Sequence, residues 1–337
     1  MAGTLNVQVA TSASCAVALL YFVRTCSELA FLCCVVVPAC LYGLYAERTY
    51  ATRLRGKRVL VTGASSGLGL ALAVEAARRG AAAVVLVSRT KAALEVAAVE
   101  VRAASALTGF EAIVAPCDVS DAAAVRALVD GLDHAPDVLI NNAGAGAWKH
   151  VEETSPEEAL AMMACPYQAA FALTALLAPF IAARGGGHVL NVTSAASEAG
   201  FRGAVGYGTA RWTMRGFSRM LVRDLCELKI GVTLLNAAEI TGTDYFKDAP
   251  GKAGAASKAK IPELFQIVDR MGLNYSTTQV ARAGLDAVEK GWATILVPGF
   301  LMIPTKMIAD VVPCLLEFLC TLGPSGRRPQ TKPAASC

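Results

Sequence analysis

Tyr207 and Arg211 stand four residues apart in the stretch YGTAR (207–211). On a helix that spacing puts a phenol and a guanidinium on one face, the makings of a proton donor with a cationic partner. A second chemistry is written in TGASSGLG (62–69), which follows a β-branched run and opens an alanine-rich one. Gly63 allows a tight turn, Gly67 lets backbone approach a pyrophosphate, and Gly69 permits close packing of helix on strand, with phosphate charge held at the helix N-terminus. Glycine spacing alone is a weak signal; its weight depends on what surrounds it.

The surroundings alternate. Short apolar runs, RVLVT (58–62), AVVLVS (83–88), AIVAP (112–116), DVLIN (137–141), HVLNVTS (188–194), GVTLLN (231–236) and TILVP (294–298), are separated by alanine-rich helical stretches. Regular strand–helix alternation predicts an α/β, doubly wound (Rossmann) parallel sheet with helices on both faces. A chain of 337 residues accommodates one such domain with an extension. The boundaries read as a membrane anchor over 1–50, the Rossmann domain over 51–298, an apolar helical extension over 299–323 and a polar, disordered tail over 324–337.

Asn141-Asn142-Ala143-Gly144 follows the fourth strand, and Ser194 lies thirteen residues before Tyr207 in a strand–loop–helix context. Together with TGASSGLG these motifs resemble the short-chain dehydrogenase/reductase family, whose signatures are TGxxxGxG, NNAG and Ser…YxxxK, over roughly residues 56–298. The resemblance extends in layout to membrane-anchored members such as 3-ketosphinganine reductases and steroid or retinoid dehydrogenases. It implies hydride transfer between a nicotinamide and a carbonyl, with Tyr207 exchanging the proton as general acid or base and Ser194 positioning the oxygen. It assigns cofactor binding to Gly63, Ser65, Ser66, Gly67, Leu68 and Gly69, to Asp118 and Val119 beside the adenine, to Asn141, Ala143 and Gly144, and to Tyr207 and Arg211. The second strand ends in Ser88-Arg89, where an acidic residue would hold the ribose hydroxyls of NAD. A guanidinium there meets a 2′-phosphate, so the expected cofactor is NADP(H).

Three positions depart from the family pattern. Arg211 replaces the lysine; it keeps the charge, but its planar fork has a different reach and cannot shuttle a proton. Pro166 occupies the position of the relay asparagine and offers no side-chain hydrogen bond, which leaves Gln168 or Tyr167 as substitutes. Ala237-Ala238-Glu239-Ile240 replaces the usual Pro-Gly, with Thr241 or Thr243 left to reach the carboxamide. Two readings therefore stay open: an NADP(H)-dependent oxidoreductase adapted to arginine, and a catalytically impaired NADP(H)-binding protein with a regulatory or scaffolding role.

The flanks suggest location and substrate. LAFLCCVVVPACLYGLY (29–45) carries no charge and CAVALLYFV (15–23) precedes it, so the anchor is one helix or a hairpin of two runs that each fall short of the ~20 residues a bilayer needs. Arg48, Arg53, Arg55, Lys57 and Arg58 follow at once and keep the domain cytosolic, which points to an internal membrane such as the endoplasmic reticulum. Tethering there favours a small apolar carbonyl or alcohol: lipid, sphingoid, steroid or retinoid-like. The stretch 241–276, rich in Gly, Lys and Ala, reads as an irregular lid or disordered loop.

With a net charge of +4 and 17% charged residues, no basic stripe supports nucleic-acid binding. Neither the eleven cysteines nor the three histidines cluster at metal-ligand spacing. Apolar stretches over 155–184 and 206–228 suit a homodimer interface as well as they suit packing on the sheet.

Overall fold

The computed structural model describes residues 49–144, 146–248, 253–311, 315–316 and 319–320. The expected anchor and polar tail lie outside the described residues.

Strands β1 (Arg58–Thr62), β2 (Ala83–Ser88), β3 (Glu111–Pro116), β4 (Val138–Asn141), β5 (Gly187–Ser194) and β6 (Ile230–Ala237) follow the apolar runs to within a residue at either end. Two short strands, β7 (Ile240–Thr241) and β8 (Tyr275–Ser276), pair as a separate parallel ribbon, and β9 (Thr294–Val297) completes the main sheet. The seven-stranded order is β3-β2-β1-β4-β5-β6-β9, parallel throughout. Strand order reverses between β1 and β4, so the crevice at their carboxyl ends is where a doubly wound sheet accepts its ligand.

Helices α1 (Gly67–Arg78), α2 (Lys91–Ala104), α3 (Ala122–Asp130), α4 (Pro156–Met163), α5 (Ala169–Ala183) and α6 (Val205–Asp224) connect the first six strands. Beyond them come α7 (Ala255–Lys258), α8 (Glu263–Arg270), α9 (Thr277–Lys290) and α10 (Gly299–Val311). Several ends are written locally. Asp121 accepts from the amide of Ala123 at 2.8 Å, Ser155 with Glu158 and Ser276 with Gln279 form capping boxes, and α9 stops at Gly291 in the left-handed region (φ 65°).

Alternation along each strand builds two cores. Val59, Val61, Leu86, Ile140 and Leu190 face Leu72, Leu94 and Leu285, whereas Leu60, Val85, Leu139 and Val189 face Leu173, Leu177, Ile181 and Leu221 on the other side. Burial of each such side chain stabilises the fold by about 1.5–3 kcal/mol. The helical run Pro156–Ala183 is long and apolar enough to cross a membrane by composition. Its Leu173, Leu177 and Ile181 are nevertheless fully buried in this core, and it belongs to the domain.

The segment 241–276 corrects the expectation of an irregular loop. It holds β7, α7, α8 and β8, and α8 packs Phe265 and Val268 inward, with Ile261 ahead of them. That i, i+4, i+7 spacing was hidden by the Gly- and Lys-rich composition of the residues before it. In the C-terminal extension, α10 docks on the domain through buried Met302 and Lys306 and leaves Phe300 and Ile303 exposed.

Candidate active site

The carboxyl ends of β1, β4, β5 and β6 surround a cavity of about 340 Å³. At its floor, Gly63 (φ 66°) and Gly67 (φ 58°) take backbone conformations that disfavour side chains. Gly69 is required for a different reason: a Cβ there would sit 2.1 Å from the Gly63 carbonyl oxygen. Ser66 precedes α1 without bonding the helix's first amides, which leaves them free for an anion. Space beside Gly67 is open: a Cβ there would meet nothing closer than Thr243 Cγ2, at 3.9 Å. These features fit a dinucleotide pyrophosphate.

Thr62 organises the neighbouring loop. Its hydroxyl accepts from the amides of Asn142 and Ala143, both at 3.0 Å, while Asn142 Nδ2 donates to the Thr62 carbonyl at 3.0 Å. Asn141 points elsewhere: its Nδ2 donates to Asn191 Oδ1 at 2.8 Å and to Thr174 at 3.4 Å in the core. It therefore braces β4 against β5.

Helix α6 is fixed to β5 at two points a double turn apart, where Thr193 donates to the Arg211 carbonyl (3.1 Å) and Asn191 donates to the Ser218 hydroxyl (2.9 Å). This registration brings Tyr207 and Arg211 into the cavity with Ser194. The Arg211 guanidinium carbon lies 4.9 Å from the centroid of the Tyr207 ring, a cation on a π face. Gly144 makes room for it, since a Cβ there would approach both terminal guanidinium nitrogens to 3.0–3.1 Å. Trp148 stacks near the same phenol at 5.7 Å, with Phe201 next to it. Arg211 Nε is buried without a hydrogen-bond partner, so the guanidinium keeps a donor in reserve.

Of the residues expected to bind cofactor or react, Gly63, Ser66, Gly67, Leu68, Gly69, Ala143, Gly144, Ser194, Tyr207, Arg211 and Thr243 line the cavity. Ser65, Arg89, Asp118, Val119, Asn141 and Thr241 do not line it. Arg89 and Asp118 are exposed at the ends of β2 and β3. Hydrogen bonds from Ser120, assisted by the charge of Arg89, hold the Asp118 carboxyl below its usual range.

Pro166 breaks the helix as its chemistry dictates. Residues Ala164–Gln168 form a π turn, and Cys165 takes a non-helical conformation (φ −136°, ψ 103°). Neither candidate substitute for the asparagine faces the cavity. Tyr167 packs on Phe217 and Phe171 with centroids at 5.5 and 6.3 Å, and Gln168 is exposed. Burial pushes the Cys165 thiol up to about 11, which keeps it protonated.

Asn142 and Glu239, which lie within stretches already singled out, also line the cavity, as do Trp148, Phe201, Tyr245, Phe246, Ile261 and Phe265, which no sequence motif marks for binding. They come from loops and from the segment 241–276, whose one short apolar period is masked by its Gly- and Lys-rich surroundings. Glu239 bonds Lys258 at 3.2 Å; burial, reinforced by Asp269, nonetheless raises its carboxyl above the usual range. Among the described residues, no group of His, Cys, Asp and Glu is placed to hold a metal ion.

A glycine-floored crevice at the switch point of a parallel sheet, opening onto a Ser-Tyr pair, defines a dinucleotide-dependent oxidoreductase of the Rossmann class. Residues 57–253 match the short chain dehydrogenase family model, and the chain belongs to that family. It is 32% identical over 215 residues to a fatty acyl-CoA reductase of Acinetobacter baylyi, covering 60% of this chain and 71% of the relative. It is 30% identical over 252 residues to a 3-dehydrosphinganine reductase of Arabidopsis thaliana, covering 74% and 72%. The crystal structure of L-sorbose reductase from Gluconobacter frateurii, complexed with NADPH and L-sorbose, superposes with a TM-score of 0.63 at 25% identity over 73% of this chain and 96% of that one.

Proposed function

We propose that this chain is a membrane-anchored, NADP(H)-dependent oxidoreductase for an apolar carbonyl or alcohol, with Tyr207 as general acid and base. The observation that carries the reading is the stacking of Arg211 on Tyr207 at 4.9 Å inside a cavity shared with Ser194.

The first-turn amides of α1 and the glycines of 63–69 would hold the pyrophosphate, and Arg89 would meet the 2′-phosphate. When bound, the nicotinamide supplies or accepts the hydride. Ser194 holds the substrate oxygen, and Tyr207 donates its proton as negative charge develops there. The fixed charge of Arg211 stabilises the phenolate that remains. Trp148, Phe201, Phe246, Ile261 and Phe265 exclude water and favour an apolar substrate. The two relatives, a fatty acyl-CoA reductase and a 3-dehydrosphinganine reductase, support a lipid-like carbonyl.

The apolar N-terminal run and the arginines after it support anchoring with the domain in the cytosol, at the endoplasmic reticulum. Exposed Phe171, Phe180, Trp212 and Met220 on α5 and α6 support a homodimer through those helices. The test follows NADPH oxidation by detergent-solubilised protein against long-chain and short-chain ketones. Turnover confined to long-chain ketones and abolished in Tyr207→Phe is expected. NADPH bound without turnover of any ketone would overturn the reading in favour of a cofactor-binding protein.

A further inference from the structure

The proton that Tyr207 gives up must be replaced each cycle, and the residues around it leave few routes. Arg211 stays charged and has no lone pair to pass a proton. Pro166 has no polar side chain, while Tyr167 and Gln168 are turned away from the cavity.

A second tyrosine stands beside the reacting phenol. Tyr245 lines the same cavity, its ring 6.3 Å from that of Tyr207. Its hydroxyl also donates to the Gly146 carbonyl at 2.8 Å, and Gly146 itself lies against the Tyr207 ring, where a Cβ would approach Cδ2 to 2.8 Å. The position of Tyr245 is determined. Phe246 packs edge-on against it at 4.8 Å, and its carbonyl accepts from the Ala253 amide at 2.8 Å. The side chain is only partly buried by the protein.

We infer that Tyr245 is the proton relay of this site, taking the place of the lysine and asparagine that Arg211 and Pro166 replace. The inference rests on the oxidoreductase reading above. In reduction, hydride reaches the carbonyl carbon while the Tyr207 O–H bond breaks and the substrate O–H bond forms. The Tyr245 hydroxyl turns from the Gly146 carbonyl to the Tyr207 phenolate and gives it a proton, while a solvent water delivers one to Tyr245. Net consumption is one proton from solvent per turnover, and oxidation runs the same path in reverse. Desolvation within the cavity, with Tyr207 adding to it, raises the Tyr245 phenol well above its ordinary range.

Tyr245→Phe keeps the ring against Phe246 and removes only the hydroxyl. Steady-state kcat is expected to fall about ten-fold or more with KM changed by less than about two-fold. The single-turnover rate of protein preloaded with NADPH should persist, because Tyr207 begins that turnover protonated. Arg211→Lys added to Tyr245→Phe should recover turnover, which a purely structural defect would not. An unchanged kcat in Tyr245→Phe, or equal loss in single and multiple turnovers, overturns the relay. A second readout needs no activity: with 3-fluorotyrosine at position 245, the fluorine titration should move to lower pH in Tyr207→Phe, and an unmoved titration overturns the contact. Absence of turnover in the wild-type protein would overturn the oxidoreductase reading and the relay with it, an outcome distinct from wild-type turnover that Tyr245→Phe leaves intact.

Discussion

The two edges of the central sheet are built on opposite terms. At the amino ends of the strands the polar groups are tied to one another. Asp137 accepts from the Arg58 amide at 2.9 Å and from Arg184 at 3.1 Å, and faces Lys57 at 3.5 Å. Thr52 donates to the Gly187 carbonyl at 3.1 Å, the Val232 amide donates to Thr49, and His188 shares a 2.8 Å bond with Thr233. At the carboxyl ends the chain leaves a cavity instead, floored by glycines, with Arg211 Nε and Glu239 Oε2 buried and unpartnered. Unpartnered buried groups cost stability; Arg58 Nε and His188 Nδ1 are further cases at the amino ends, whereas Arg211 and Glu239 line a cavity that a ligand can fill. Stability is concentrated at one edge and chemistry at the other.

Substitutions can break that division. The largest expected effect is at the tied edge: Asp137→Ala strands the Arg58 amide and two cations, and should lower unfolding stability by about 2–4 kcal/mol, the cations being part exposed. Denaturant titration measures the loss, while kcat of the folded fraction should stay at the wild-type value. At the open edge, Gly69→Ala forces the Gly63 carbonyl aside. Overpacking of this kind costs about 1–3 kcal/mol, and NADPH affinity measured by calorimetry should weaken about 10- to 100-fold. A Gly69→Ala variant that binds NADPH as the wild type does would show that the glycine floor is not the phosphate site.

A smaller effect concerns pH. Burial holds His188 down to about 3 from an ordinary value of 6.5. The unfolded chain thus takes up a proton at His188 as pH falls below about 6.5 while the folded chain does not, so its share of stability is complete above that pH and is lost progressively below it. Thermal midpoints should decline from about pH 7 to pH 4, and His188→Gln should flatten that slope; at the same time NADPH affinity at neutral pH should not change.

Much of this division was legible in the residues. Seven apolar runs became the seven strands of the main sheet, because fully buried parallel strands need continuous β-branched sequence. The glycines of 62–69 and the pair Tyr207 and Arg211 were legible because each motif spans a single turn or loop whose geometry is local. The place of the Asn141 side chain was not legible, for the opposite reason: only the pairing of β4 with β5 brings its amide to Asn191. Tyr245 carried no signal, since its approach to the cavity depends on how 241–276 folds back over it. The Arg211 substitution raises the question of proton supply, and Tyr245, beside Tyr207 in the cavity, is the answer proposed above.

The central claim is hydride transfer at a Ser194–Tyr207–Arg211 site, and isotope transfer tests it most directly. NADPH deuterated at the nicotinamide C4 position would be incubated with a long-chain ketone, and the product alcohol analysed by mass spectrometry. Deuterium at the carbinol carbon with the wild-type chain, and none above background with Tyr207→Phe, is the predicted result. Deuterated alcohol formed equally by both proteins, or by neither despite saturating NADPH, would contradict it.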